Sequence, residues 1–280
     1  MKKLFFIIAL ALTFFACDKI KGPYVIPSQQ EEVDVVFPDL NRNTVFRKIL
    51  IEEYTGHTCT GCPEGHQIID QLLAQFGDTL VAIGIHANHF AKPSTGVFTY
   101  DFRNPTGEQL FIDYNIENNP QAIVNRSTSP IDKDEWRNEI STADRSLYAA
   151  IQVINQYDAN AKRLKINTKT TMLEDYSQAV QLSLLLIEDN IIKPQKFSDH
   201  IDTFYVHNHV LRAGINGNYG ELITHSGLLE KDSSYLYGYS LDFNGKDWNP
   251  DNCSVIAILL NQQDKKVLQV ERTKVKQLSN

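Results

Sequence analysis

Cysteine, methionine and tryptophan are scarce in this chain, with four, two and two among 280 residues. Four cysteines are too few for a scaffold in which disulfides replace a hydrophobic core. A hydrophobic content of 42% is enough to build a core without them. Positive charge is also in short supply. Against 34 Asp and Glu stand 27 Lys and Arg, and the formal net charge of −7 argues against dedicated nucleic-acid binding. No interior apolar run approaches the roughly 20 residues that cross a bilayer as a helix. No cofactor is expected.

The one long apolar run opens the chain. Met1-Lys2-Lys3, then Leu4 to Phe15, then Ala16 supply the basic start, apolar core and small residue of a secretory signal. Cys17 follows at once, the arrangement of a bacterial lipoprotein signal, in which that cysteine is acylated and becomes the first mature residue. Phe14 stands where leucine is usual. The expected layout is a signal peptide over 1–16 and a tether over 17–32 carrying Gly22, Pro23 and Pro27. Several acyl chains on Cys17 would hold the protein on a membrane, as a single chain would not.

Two further cysteines stand together in Tyr54-Thr55-Gly56-His57-Thr58-Cys59-Thr60-Gly61-Cys62-Pro63-Glu64-Gly65-His66. Arg47 to Tyr54 reads as a strand. Beyond the cysteines Ile68, Ile69, Leu72, Leu73 and Phe76 recur at helical spacing, with Pro63 in the first turn and Gly77 as the stop. Leu80 to His86 reads as a second buried strand, which completes a βαβ unit. A thiol at a helix start is acidified by the unpaired backbone N–H groups there, and a second thiol can resolve the mixed disulfide that the first forms.

Three readings of the pair stay open: thiol–disulfide exchange, which leads, a structural disulfide, and a metal site. For the last, His57, Cys59, Cys62 and His66 have the ligand chemistry of zinc, and Cys62 and His66 lie four apart on one helical face.

The remaining chain divides near 148. Val33 to Phe37 can be an edge strand, and Asn88 to Pro105 reads as an insertion holding His89 beside the strand-end His86. Thr106 to Tyr114 reads as a helix capped by Thr106, and Asp132 to Leu147 as a closing helix around Trp136 and Ile140. From Ala149 onward seven strand-like runs follow with no strong helix between them, the pattern of an antiparallel immunoglobulin-like sandwich. In one of them His207 and His209 alternate and would share a face near Arg212, either as an anion site or as an ordinary half-exposed sheet face. Cys253 sits in a run that reads as a buried strand, where its role is packing. Asn125-Arg126-Ser127 fits a glycosylation sequon by chance.

Glu53 to His57, Cys62 to His66, Ile85-His86-Ala87, Tyr100 to Arg103, Asn119-Pro120 with Val124-Asn125-Arg126, Val206 to Arg212 and Trp248-Asn249-Pro250 together resemble the outer membrane protein 28-related lipoproteins. The resemblance runs through essentially the whole mature chain. It implies a Gram-negative outer-membrane lipoprotein, periplasmic or surface-facing, with an α/β thioredoxin-like domain over 33–148 and an all-β sandwich over 149–280. The family is defined by location and sequence, so no reaction comes with it.

A wider resemblance is to thioredoxins. It implies that Cys59 attacks, Cys62 resolves, Glu53 is the buried acid that moves a proton for the second cysteine, and Pro120 is a cis-proline facing the pair. Thr58 and Thr60-Gly61 depart from the usual thioredoxin residues. On this reading the partners are thiols or disulfides of envelope proteins. The alternative is a non-enzymatic lipoprotein that binds a partner or a metal, with Cys59–Cys62 a structural disulfide.

Overall fold

In a computed structural model, described over residues 29–223 and 227–276, the chain is β-rich, with three α-helices and seventeen strands among those residues. The expected signal, the Cys17 acylation site and residues 17–28 of the tether lie outside them. In the first half come β1 (Gln29–Glu31), β2 (Ile49–Thr55), α1 (Cys62–Phe76), β3 (Leu80–His86), α2 (Pro105–Asp113), β4 (Gln121–Val124), β5 (Ile131–Asp132) and α3 (Trp136–Thr142).

The second half contributes β6 (Ala149–Asp158), β7 (Arg163–Met172) and β8 (Val180–Glu188). Four two-residue strands follow: β9 (Ile191–Ile192), β10 (Gln195–Lys196), β11 (Ile201–Asp202) and β12 (Val206–His207). Then come β13 (Val210–Gly214), β14 (Glu221–Leu222), β15 (Ser234–Asp242), β16 (Cys253–Asn261) and β17 (Val267–Lys274).

Strands β2 and β3 are buried at every position because both of their faces are covered. They run parallel, from Ile49 opposite Leu80 to Thr55 opposite His86, and β4 lies antiparallel on the other side of β2. Successive side chains point to opposite faces. Ile49, Ile51 and Ala82 pack with Ile69 and Leu72 of α1 and with Trp136 and Ile140 of α3. Leu50, Tyr54, Ile83 and Ile85 face the other way, toward Leu110 of α2. Each such fully buried aliphatic side chain contributes about 1.5–3 kcal/mol by leaving water.

These strands belong to one large mixed sheet of order β17-β16-β8-β13-β3-β2-β4-β5, with β14 branching onto β8. The halves join where β13 meets β3 in parallel at Val210 and Gly84, and the Gly84 N–H donates to the His209 carbonyl at 2.8 Å. The apolar layer is continuous across that join, since Leu185, Ile187, Ile256 and Ile258 share a core with Leu50, Ile83 and Ile85. The sheet coils enough for its far side to return: the Val267 N–H donates to the Asn125 carbonyl at 2.9 Å, and the Lys48 N–H to Gln269 Oε1 at 3.0 Å.

A four-stranded antiparallel sheet, β1-β15-β7-β6, packs on the second half. Leu164, Ile166, Tyr239 and Leu241 from it meet Leu182, Leu184, Val255 and Ala257 from the large sheet. Cys253 is a free thiol buried in this core, as its strand pattern suggests, and burial pushes its pKa well up.

Beneath the first half lies a wholly buried ion pair. Arg126 Nε and Nη2 donate to Glu52 Oε2 and Oε1 at 2.8 and 2.7 Å, and Tyr114 and Tyr219 lie against the guanidinium. Asn125 beside it is buried, with Oδ1 accepting from the Leu50 N–H, so the sequon is spent on the fold.

Several expected boundaries move. Residues 33–37 are not a strand; the edge strand is Gln29–Glu31, inside the expected tether, pairing with Gly238 to Ser240 of β15. The closing helix shrinks to seven residues because Ile131 and Asp132 pair with β4 and the chain turns extended at Ala143. Asn104, not Thr106, caps α2, its Oδ1 accepting from the Gly107 N–H at 2.9 Å. Thr106 is buried instead and accepts from the Gly214 N–H.

Candidate functional site

The cysteine motif bridges the end of β2 and the start of α1. Backbone approach there is close: a Cβ on Gly56 would stand 2.6 Å from the Phe90 backbone, so only glycine fits. The Thr58 N–H and hydroxyl both donate to the Phe90 carbonyl, at 3.1 and 3.0 Å. Cys59 and Cys62 are joined by a disulfide, their Cα atoms 5.5 Å apart. Cys59 is only 2% exposed and Cys62 is fully enclosed.

Pro120 lies against the pair from β4's leading edge. The Asn119–Pro120 peptide is cis, and the Asn119 carbonyl oxygen is 3.6 Å from Cys59 Sγ. The second half covers the motif from the other side. Gln195 Nε2 donates to the Cys59 carbonyl at 3.0 Å, and the Lys196 N–H donates to the His57 carbonyl at 2.8 Å.

Glu53 is buried under the first turn of α1. A Cβ on Gly65 would lie 2.6 Å from Glu53 Oε1, so the glycine leaves room for the acid. That oxygen has no hydrogen-bond partner. Burial first, then the charge of Asp70, raises the Glu53 pKa well above the usual carboxylate range, which favours its protonated form.

Next to it His66 Nε2 sits 2.8 Å from Thr55 Oγ1 and 3.8 Å from Glu53 Oε1, while Nδ1 is 2.8 Å from the Tyr205 hydroxyl. Burial, assisted by His209, lowers the His66 pKa to about 4. His86 and His207 complete a group of buried imidazoles, their ring centres 5.4 Å apart and 6.5 and 6.3 Å from that of His66. Burial holds His207 at about 3 and His86 well below its ordinary value. Phe102 stacks on His86 at 4.5 Å and touches His207.

The four residues of the metal alternative do not converge. Their two thiols are consumed by the disulfide, His66 is held between Thr55 and Tyr205, and His57 lies stacked on Phe98. Among the described residues no group of three or more His, Cys, Asp and Glu is placed to hold a metal ion.

His207 and His209 do not sit on one strand, although both line the cavity beside Glu53 and His66. His209 adopts φ +56° between β12 and β13 and pairs with Asp189, whereas His207 is buried beneath the motif. Arg212 is engaged by Tyr100, Asp247 and Glu188. His86 faces the buried cluster, while His89 lies beside Phe90 in the 88–105 segment. Gln195 and Tyr205 were not singled out by sequence, and Phe102 entered only within the Tyr100 to Arg103 resemblance. Each reaches the site through non-local packing that leaves no local spacing to read.

A β-rich fold with an oxidised cysteine pair suits an oxidising compartment, the class of cell-envelope proteins. The model of the family described as outer membrane protein Omp28 matches residues 108–279. The chain belongs to that family, and its location is the outer membrane. The match begins beyond the cysteine motif and so says nothing of the disulfide's role.

Among solved structures, HBP35 of Porphyromonas gingivalis superposes with a TM-score of 0.64 at 14% identity, over 85% of this chain and 80% of that one. A domain of the outer membrane lipoprotein Omp28 from Porphyromonas gingivalis is 23% identical, over 46% of this chain and 89% of that one, with a TM-score of 0.33. No curated protein matches the chain.

Proposed function

We propose that the chain is a lipid-anchored outer-membrane protein whose first half, a thioredoxin-like unit over 33–148, exchanges thiols and disulfides with other envelope proteins. Cys59 attacks, Cys62 resolves, Glu53 moves the proton and Pro120 lines the groove for an extended substrate. The anchor is acylated Cys17, exposed after removal of residues 1–16. The second half, 149–280, is an immunoglobulin-like sandwich unit.

The arrangement of β5-β4-β2-β3 with α1 and α3 on one face and α2 on the other supports the first assignment. The packing of β1-β15-β7-β6 over β8 and β16 supports the second. Fold does not choose the chemistry, so the site must.

The observation that carries the redox reading is Glu53. A carboxyl buried beneath the cysteine helix with its Oε1 unpartnered destabilises the fold, and a structural staple has no use for it. A disulfide that is opened and closed does have a use, because its thiolate must gain and lose a proton. One observation favours the staple: Cys59 is shut from solvent by Gln195 and Lys196.

Expression of Cys62→Ser in cells, followed by non-reducing electrophoresis, separates the two. Mixed disulfides on Cys59 are expected. Their absence, with Cys59 unreactive to alkylating reagents in the folded reduced protein, would leave the non-enzymatic partner-binding role.

A further inference from the structure

We infer that Tyr205 and His66 form a proton path between solvent and the buried carboxyl of Glu53, so that a residue of the second half completes the cysteine site. This rests on the redox reading and identifies how its proton arrives.

Glu53 is 4% exposed, so little of its surface meets bulk water. The route begins at Tyr205, which is half-buried between two exposed neighbours, Phe204 and Val206. With its hydroxyl donating to His66 Nδ1 at 2.8 Å, the ring carries its proton on Nε2, which faces Thr55 Oγ1 at 2.8 Å and Glu53 Oε1 at 3.8 Å. The last gap is too long for a direct hydrogen bond. A cavity of about 30 Å³ bounded by Glu53, Thr55, His66, Asp70, His86 and Tyr205 has room for one bridging water.

The ionisable groups around the path set its character. Asp70 on α1, His86 on β3, His207 on β12 and His209 before β13 surround His66 and Glu53, and Asp202 on β11 faces Tyr205. Burial disfavours the charged form of both His66 and Glu53, so protons pass along neutral groups and are not stored on them. A purely structural His66 is satisfied by Thr55 and Tyr205 alone, and such a role leaves the bare Glu53 oxygen beside it unexplained.

The step served is opening of the disulfide by an external dithiol. A thiolate of the dithiol attacks Cys59 Sγ, a new S–S bond forms, the Cys59–Cys62 bond breaks, and its electron pair leaves on Cys62 Sγ. Protonated Glu53 supplies the proton that neutralises Cys62 and is reprotonated through His66 and Tyr205 from solvent. The second thiol of the dithiol, having lost its proton to solvent, displaces Cys59, which takes a proton in turn. Two electrons have passed: the dithiol is oxidised to a disulfide, and Cys59 and Cys62 are reduced.

The test follows reduction of the disulfide in the mature chain by dithiothreitol from about pH 5 to about pH 9, together with its equilibrium reduction potential. Tyr205→Phe keeps the ring and removes only the hydroxyl. It is expected to slow reduction roughly tenfold or more, to change the pH profile toward that of Glu53→Gln, and to leave the potential unmoved. Combined with Glu53→Gln it should add nothing further, because both act on one path. Tyr219→Phe, away from the path, should behave as wild type.

A Tyr205→Phe profile identical to wild type, or a loss that multiplies with that of Glu53→Gln, would overturn the path. If the wild type is reduced and Cys62→Ser traps partners in cells, only the path falls. A wild-type disulfide that dithiothreitol cannot open without unfolding the chain removes the redox reading and the path together.

Discussion

The side-chain amide of Gln195 donates to the Cys59 carbonyl oxygen across 136 residues of chain, at 3.0 Å. With the Lys196 N–H on the His57 carbonyl, it straps the second half over the disulfide. Gln195→Ala leaves the Cys59 oxygen without its donor and opens one side of the cover. It should cost about 1–3 kcal/mol in unfolding free energy. It should also speed reduction of the native disulfide, read by quenching with an alkylating reagent and mass spectrometry. An unchanged rate would mean that the strap does not control access.

Gly65 is where α1 crosses the buried acid. Gly65→Ala would set its methyl 2.6 Å from Glu53 Oε1 and 3.1 Å from Pro120. Overpacking of this kind costs about 1–3 kcal/mol. Because the tightest contact is with the Glu53 side chain, Glu53→Ala should recover part of the loss. A denaturant-unfolding double-mutant cycle measures that coupling, and additive effects would contradict the contact.

The buried imidazoles make the fold acid-sensitive. Burial lowers His57 and His66 to about 4 and His207 to about 3, from an ordinary 6.5. The unfolded chain therefore binds protons that the folded chain refuses. Their stabilisation is complete above pH 6.5 and is lost as the pH falls through about 4.

Glu53 has the opposite sign. With its folded pKa raised, its contribution is full below its ordinary 4.5 and is lost as the pH rises. Melting temperatures measured across this range should fall on acidification. His86→Phe, which keeps the stack on Phe102, should flatten the slope, and Glu53→Gln should stabilise the protein more at alkaline than at acid pH.

Arg126 and Glu52 bury both charges completely. Arg126→Met would strand a carboxylate in the core between β2 and the two tyrosines. The expected loss is about 3–5 kcal/mol, read from the shift in denaturation midpoint. The double change Glu52→Leu with Arg126→Met should cost far less.

The strand, cysteine pair and helix were legible because each is a local pattern: an apolar run, a pair of thiols at a helix start, and a 3.6-residue period ended by Gly77. Glu53 and Pro120 were found through resemblance, which carries spacing that physics alone does not assign. What escaped was whatever depends on distant pairing. Ile131 and Asp132 have no strand signature, and only β4 beside them makes them one and shortens α3. His207 and His209 alternate in sequence, yet the left-handed turn at His209 pairs it with Asp189 while His207 is buried against His66 and His86, and both line one cavity. Gln195 opens the two-residue strand β10, which pairs only with β11, and Tyr205 lies just before β12, so neither place is written in a local pattern.

The join at Gly84 and Val210 has a consequence for modularity. A chain ending near residue 148 would lose β13 and expose β3 as a bare edge, its Gly84 N–H without an acceptor. It would also lose the apolar layer that Ile187 and Ile256 lay against Ile83 and Ile85. Grafting the cysteine-bearing half onto another partner would thus require a replacement for that neighbouring strand and for the apolar layer behind it.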